Sequence, residues 1–218
     1  MCFSASASFA ASAVLAITGT ATIIKAKTIP QRLFACIPLV FAVQQFAEGM
    51  LWLALKHTGY EGGETFFTYM FLFFAMMVWP VWVPLTIRML EKNKKRRKIM
   101  TYLLCTGIMV CAGTGYVLLS NPVHAVASTN HIHYSFSIDM DTKYIQSIFT
   151  LLYCTATLIT PFISTVKRMK WFGYILLVSY LFAILFYNGF VISVWCYFAA
   201  VLSVVILWII TALRKEPQ

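Results

Sequence analysis

One acidic residue within a long apolar run, Glu48, is the clearest candidate for chemistry. An ionisable side chain at membrane depth costs roughly 2.5 kcal/mol or more unless it is paired, protonated or hydrated. On a helix, Gln44, Gln45 and Trp52 share its face, because residues three and four positions apart are neighbours. We therefore expect this polar face to line a cavity that is open to the outside. The structural alternative is a protonated Glu48 that bonds a neighbouring helix.

The segment from residue 120 to residue 143 holds a second set of candidates, including three of the four histidines. Its metal-capable side chains are His131, His133, Asp139 and Asp141. Imidazole and carboxylate are common ligands of transition metals, but the two histidines converge only if the segment is extended or turned. A solvated loop is the alternative. Apolar residues, Tyr134 among them, alternate with polar ones here, which predicts a segment that lies on the outer mouth of the cavity.

Two of the six cysteines add to the candidate ligands. Cys2 and Cys196 can approach the outer face, where a disulfide, a metal pair or two unrelated thiols are all compatible with the sequence. If Met1 is removed, the terminal amine and the Cys2 thiolate would chelate a soft metal. The candidate metal ligands are Cys2, Glu48, His131 and Cys196, for zinc, copper or iron. Trp79, Asn188 and Trp195 complete the candidate ligand-binding residues.

Membrane helices must position these candidates, because the composition excludes a soluble domain. The 218 residues are 61% hydrophobic and 11% charged, and their mean hydropathy is +0.80. Soluble domains are about half apolar and about a quarter charged, and no core of this size could bury such an excess. We therefore predict an all-α integral membrane protein that crosses the bilayer several times.

Seven apolar runs are long enough to cross the hydrocarbon layer as helices. They cover residues 8–24, 33–55, 65–90, 99–119, 144–163, 171–187 and 190–213. The prediction is one transmembrane domain, residues 1–218, folded as a seven-helix bundle with an outer loop at 120–143. Short sequence echoes between the first and fifth runs, and between the second and sixth, allow a 3+1+3 arrangement of parallel repeats, with chance similarity as the alternative.

The basic residues orient this bundle. Nearly all of the 17 lysines and arginines fall on one side of the predicted membrane. By the positive-inside rule that side is the cytoplasm, so the N-terminus is outside and the C-terminus is inside. The net charge of +10 therefore reflects topology, and we expect no nucleic-acid partner. The cluster from Lys92 to Lys98 is expected to contact anionic lipid head groups.

Small residues and prolines indicate how the helices pack. The first run is rich in alanine and serine, which let helices approach closely in lipid, so we expect the first helix to lie centrally. The third run contains Pro80 and Pro84, each of which removes an internal hydrogen bond. We therefore expect the third helix to bend near mid-membrane.

Several motifs together resemble an uncharacterised family of bacterial multi-pass membrane proteins. They are MCFS at residues 1–4, IPL at 37–39, QQxxEGxxW at 44–52, WPxxxP at 79–84, HIxY at 131–134 and ISVWCYFAA at 192–200. The resemblance implies seven spans and an inner-membrane location, and it implies no activity. It also implies that a set of residues matters together: Cys2, Glu48, Trp79, His131, Tyr134, Trp195 and Cys196. His133 has no place in the pattern.

These observations favour an outward-facing polar cavity that binds, and in one version translocates, a small solute or metal ion. Glu48 would be the charged or proton-exchanging group, His131 a ligand or gate, and the bent third helix the moving part. Two alternatives stay open. One is a membrane-embedded, metal-dependent enzyme at the outer leaflet, with Glu48 as general base. The other is a subunit of a larger membrane complex or of a homo-oligomer. The lipid bilayer of the cell inner membrane is a partner in all three.

Overall fold

The computed structural model describes residues 4–57, 59, 61–128, 131–136, 143–187 and 191–215, most of them helical. The helices are α1 (Ala5–Lys25), α2 (Ile29–Ala35), α3 (Ile37–Lys56), α4 (Glu64–Leu72), α5 (Trp79–Leu90), α6 (Lys94–Ser120), α7 (Lys143–Cys154), α8 (Thr160–Ile163), α9 (Met169–Phe186), α10 (Val191–Tyr197) and α11 (Ala199–Lys215). A 3-10 turn, Glu61–Gly63, precedes α4. A first π segment, Phe73–Val78, joins α4 to α5, and a second, Thr155–Ile159, joins α7 to α8.

Within the described residues, six helical stretches are long and apolar enough to cross a membrane. They are Ala5–Lys25, Ile29–Lys56, Glu64–Leu90, Lys94–Ser120, Tyr144–Ile163 and Met169–Phe186. The first six predicted runs overlap these stretches and differ from them only at the ends. The seventh predicted run contains α10 and α11, which are separated at Phe198, and its apolar part is the shorter helix Leu202–Arg214. The described residues therefore form a mainly α-helical, multi-pass membrane protein whose last predicted span is interrupted.

The first helix lies at the edge of the bundle. α1 begins after Ser4, whose hydroxyl accepts a hydrogen bond from the Ala7 N–H at 3.2 Å, and it packs along α3 and α11. Its buried residues form one seam: Ser8, Ala11, Leu15, Gly19 and Thr22. Other faces are open, and Ile17 is 71% exposed. The prediction of a central position is therefore wrong, because small residues let α1 approach α3 on one side without requiring neighbours on the others.

The first π segment lies just before Pro80. Proline has no N–H, so the carbonyl of Met76, four residues earlier, loses its usual donor. The Thr114 hydroxyl of α6 donates to Val110 O in its own helix at 2.8 Å, and its oxygen lies 3.3 Å from Met76 O. The Tyr153 hydroxyl of α7 donates to Ala75 O at 2.9 Å. The predicted bend of the third helix stays a prediction. The structure shows a π segment that ends just before Pro80, and polar side chains of two neighbouring helices lie against its carbonyls.

A glycine lets α6 pack directly on the backbone of α5. Because Pro84 also lacks an N–H, the Pro80 carbonyl loses its usual α-helical donor. A Cβ atom on Gly107 would lie far inside van der Waals distance of that carbonyl oxygen. Only glycine therefore fits at residue 107, and this contact sets how closely the two helices approach.

The second π segment, like the first, lies just before a proline, here Pro161. Proline at that position leaves the carbonyl of Thr157 without its α-helical donor. Threonine hydroxyls bond nearby carbonyls, from Thr157 to Tyr153 O at 2.8 Å and from Thr160 to Ala156 O at 2.6 Å. The segment packs on both α5 and α6, so two irregular stretches flank α6.

Part of the predicted outer loop, 120–143, is a β-hairpin that the all-α prediction did not include. β1 (Val123–Ala127) and β2 (Ile132–Phe136) are antiparallel, with Ala125 opposite Tyr134. One face of the hairpin is buried, at Val123, Ala125, Ile132 and Tyr134, and β1 packs on α3 and α4. The alternation of apolar and polar residues is the cause, because successive side chains on a strand point to opposite faces. We call this end of the bundle the hairpin end.

Glu91 joins two connections at the opposite end, which we call the basic end because Lys94 to Lys98 lie there. Its side chain is 2% exposed. It accepts hydrogen bonds from the Thr165 N–H at 2.7 Å, the Thr165 hydroxyl at 2.6 Å, the Asn93 N–H at 2.9 Å and the Ser164 hydroxyl at 3.4 Å. Burial alone raises the pKa of this carboxyl, but the hydrogen bonds outweigh it and hold the pKa below its ordinary value.

We expect Glu91→Gln to lower the free energy of unfolding by about 1–3 kcal/mol at neutral pH, because the amide nitrogen cannot accept these hydrogen bonds. A carboxylate with a lowered pKa adds stability above the ordinary carboxyl pKa of about 4.3, and this stability is lost as the pH falls through the lowered value. The wild-type protein should therefore lose more stability than E91Q between about pH 5 and pH 3. Unfolding curves in mild detergent at both pH values measure this difference.

Glu64→Gln is the matched control, because Glu64 begins α4 at the hairpin end and makes none of the hydrogen bonds that hold Glu91. It should change stability little at either pH. Equal pH dependence in wild type and E91Q would contradict the role given to Glu91.

Candidate functional site

Gln45 and Glu48 form a buried polar pair on α3. Both side chains are 0% exposed. Gln45 Nε2 donates a hydrogen bond to Glu48 Oε2 at 3.1 Å. The acidic side chain that the sequence singled out therefore lies inside the protein and does not face lipid.

Trp79 connects this face of α3 to α5. Its indole Nε1 donates to Gln44 Oε1 at 2.8 Å, and its ring stacks on Phe41 with centroids 3.8 Å apart and planes at 19°. Gln44 is 0% exposed and Trp79 is 4% exposed. We call Gln44, Gln45, Glu48 and Trp79 the Glu48 cluster.

Two buried polar atoms on the same face of α3 can take a further hydrogen bond. Within the part of the chain that the structure describes, Gln45 Oε1 and Trp52 Nε1 have no hydrogen-bond partner. Trp52 is 1% exposed, and the Lys56 Nζ lies 4.6 Å from the centre of its ring. Leaving a buried polar atom unbonded costs roughly 1–3 kcal/mol, so this face favours a polar ligand group or a polar side chain.

The hairpin holds Tyr134 and His131 at the hairpin end. The Tyr134 ring stacks on Phe71 of α4, with centroids 5.3 Å apart and planes at 7°. The His131 ring contacts Tyr187 edge-on at 5.3 Å. Burial lowers the pKa of the His131 imidazole and so favours its neutral form. His133 is exposed, whereas His131 is half-buried. The two histidines of the hairpin segment therefore differ in their exposure to solvent.

The predicted metal centre stays a prediction. Among the described residues, no three histidine, cysteine, aspartate or glutamate side chains lie close enough to hold a metal ion. Several candidates fall outside the described residues: Cys2, Asp139, Asp141, Asn188 and the side chain of Cys196. The cysteines whose side chains the structure describes, Cys36, Cys105, Cys111 and Cys154, are free thiols.

A cavity of about 490 Å³ lies among α3, α5, α6, α7, α9 and α10. Its wall is mostly aromatic and aliphatic. Of the predicted site residues that the structure describes, Trp79 and Trp195 line it, whereas Gln44, Gln45, Glu48, Trp52, His131 and Tyr134 do not. The geometry therefore differs from the expected single polar cavity at Glu48. An apolar cavity adjoins the Glu48 cluster through Trp79, which belongs to both.

Hydrogen bonds and ring contacts fix Trp195 at the wall of the cavity. Its indole Nε1 donates to the Ser179 hydroxyl of α9 at 3.1 Å. The ring lies 4.8 Å from the Tyr180 ring and 5.8 Å from the Tyr153 ring, centre to centre. These contacts place side chains of α7, α9 and α10 around one end of the cavity.

Comparison with known proteins gives one match. The model of a family of unknown function (DUF6629) matches residues 1–218. The chain belongs to this family. No curated protein and no solved structure matches it. The expected membership of an uncharacterised family is confirmed, and the site of this DUF6629 protein must be judged from its own residues.

The cavity of this DUF6629 protein also contains residues that the sequence did not single out. Tyr153 and Tyr180 line it, together with Gln146 and Thr150 of α7. Of these residues, only Gln146 could have been singled out from the sequence, because it is a polar side chain within an apolar run, as Glu48 is. The aromatic residues gave none, because such residues are common in membrane helices whether or not they line a cavity.

Proposed function

We propose that this chain is a seven-span protein of the cell inner membrane, with its N-terminus and hairpin end outside. The six long apolar helices and the interrupted seventh run support the span count. The exposed residues from Lys92 to Lys98 support a cytoplasmic basic end in contact with anionic lipid head groups. The 3+1+3 arrangement and a homo-oligomer stay predictions.

We further propose that its function is to bind a small molecule in the membrane-embedded cavity. The observation that carries this proposal is the cavity itself. Its volume of about 490 Å³ lies within the range of roughly 300–1,000 Å³ that is typical of small-molecule sites. Aromatic walls supply most of the contact area in such sites, and a few polar groups fix the orientation of the ligand.

The Glu48 cluster is placed to respond to a ligand. Trp79 presents its ring to the cavity and donates its N–H to Gln44, one turn from Glu48. A ligand that shifts the indole therefore changes the hydrogen bonding around the buried acid. Proton exchange at Glu48 and translocation of a solute would follow from this coupling. The outer-leaflet metal enzyme and the complex subunit stay predictions, and no contact in the described ranges favours either.

Filling the cavity should abolish binding. Val117 of α6 lines the cavity and is half-buried, so Val117→Trp places an indole in the space that a ligand would occupy. We expect native mass spectrometry of the wild-type protein, released from detergent, to show a retained small molecule. The V117W protein should retain none.

Leu119→Trp provides the matched control on the same helix. Leu119 is 89% exposed, so L119W adds the same indole outside the cavity and should retain the molecule as wild type does. If wild type retains nothing, or if V117W and L119W retain the same mass equally, the cavity is not a ligand site.

A further inference from the structure

The cavity opens sideways between α7 and α9. A shallow depression adjoins it, lined by Gln146, Ser147, Thr150, Leu151, Cys154 and Tyr180. All of these except Ser147 and Leu151 also line the cavity, so the two spaces are continuous. None of the described α7 side chains, from Tyr144 to Cys154, is buried. Because α7 and α9 both belong to stretches that can cross a membrane, the opening faces the hydrocarbon of the bilayer.

The cavity is long. Phe172 and Ile184 of α9 both line it, and twelve residues of helix span about 18 Å. A space of this length, walled mostly by aromatic and aliphatic side chains, suits an extended hydrocarbon chain.

The polarity of the cavity wall increases from its deep end to the hairpin end, as it would for a ligand with an apolar chain and a polar head. Deep in the cavity the wall is apolar, with Val83, Phe172 and Leu202 among its residues. Near the hairpin end the wall includes Gln146, about 5 Å along α7 from its first residue. Thr150 lies one turn further, and its hydroxyl donates to the Gln146 carbonyl at 2.9 Å. Polar side chains thus stand at the lipid-facing opening, where their burial in hydrocarbon would otherwise be unfavourable.

We propose that the cavity binds a single-chain amphiphile, a molecule with one long hydrocarbon chain and a polar head. It enters sideways between α7 and α9, from the outer half of the bilayer. Its chain fills the space beneath Trp79 and Trp195, and Gln146 with its neighbours at the opening receives the polar head. This inference rests on the proposed function and names the chemical class of the ligand and its route.

Photolabelling in lipid nanodiscs tests this proposal. The probe is palmitic acid with a diazirine at mid-chain. A second arm uses a monoacyl phosphocholine with the same modified chain, so that a free acid and a lipid can be told apart. We expect adducts on interior residues that bulk lipid cannot reach, such as Trp79, Val110 and Phe172, which are at most 4% exposed. Excess unmodified probe should compete with this labelling.

Two substitutions on α7 test the sideways route. Thr150→Trp places an indole at the opening, on an exposed position that does not threaten folding, and should reduce interior labelling about tenfold. Ile148→Trp is the control, because Ile148 is 55% exposed and lines neither space. It should leave labelling unchanged.

The outcomes separate this inference from the proposed function. If both probes form adducts only on lipid-facing residues such as Ile108 and Val178, the proposal that the cavity binds a single-chain amphiphile is wrong. Interior labelling that T150W and I148W affect equally would overturn the route. If the probes fail to label the interior while wild type retains a different molecule that V117W loses, the cavity is a ligand site for another chemical class.

Discussion

Gly107→Ala should be among the most destabilising single substitutions in this protein, with a loss of about 3 kcal/mol or more and little folded material after extraction. The added Cβ would overlap the carbonyl oxygen of Pro80. Neither side of this contact can move away cheaply, because both belong to helix backbones. Separating α5 from α6 would also lengthen the contact of 3.3 Å between the Thr114 hydroxyl and Met76 O. The yield of monodisperse protein and the unfolding midpoint in detergent measure the effect.

Substitutions at two other glycines are the controls for G107A. A Cβ on Gly62 meets nothing within 4 Å, so G62A should behave as wild type. A Cβ on Gly115 would meet the Met77 methyl group at 2.8 Å, and this flexible side chain can move, so G115A should cost much less than G107A. If G107A proved as stable as G62A, the close approach of α6 to the Pro80 carbonyl would be wrong.

Trp79→Ala should cost about 3–5 kcal/mol in unfolding free energy. The substitution removes the stacking on Phe41, the hydrogen bond to Gln44 and part of the cavity wall at once. It also opens the space between the cavity and the Glu48 cluster, so ligand retention should be lost together with stability. Denaturant unfolding in mixed micelles, followed by native mass spectrometry, measures both.

Trp79→Phe isolates the hydrogen bond, because it keeps an aromatic ring on Phe41 and leaves Gln44 without this donor. We expect a loss of about 1 kcal/mol, the usual value for one hydrogen bond between membrane helices. Trp171→Ala is the control for loss of an indole, since Trp171 is 58% exposed, and it should be nearly neutral. A W79A protein as stable as W171A would show that Trp79 is not the link between the two parts of the site.

The sequence predicts the helices and one polar face well. Apolar runs longer than the bilayer thickness have few alternatives to a helix, and the described helices follow six of them. The spacing of Gln45 and Glu48 predicts that they meet on a helix, and they do. The alternation of residues around Tyr134 predicts a segment that lies on the outer mouth of a cavity. The buried face of the hairpin does lie on α3 and α4, whereas its place at a mouth stays a prediction.

The cavity and the π segments could not be predicted in the same way. The cavity wall is assembled from residues distant in sequence, such as Phe41, Trp79 and Tyr153, and each of them looks like an ordinary membrane residue. The sequence does not single out Glu91, because this residue stands beside a run of lysines and arginines, which indicates a solvated end. Three of its four hydrogen bonds come from Thr165 and Ser164, more than seventy positions later, and no local sequence pattern indicates such distant partners.

The first π segment sets the direction in which the side chains of α5 point around the helix axis. Each residue advances an α-helix by about 100°, so a stretch with one residue more than a regular turn rotates everything that follows by about that angle. Removing one residue between Phe73 and Val78 would therefore swing the Trp79 indole away from Gln44 and towards another neighbour. Chain length in this short stretch is thus under tighter constraint than side-chain identity, because a conservative replacement keeps this direction and a deletion does not.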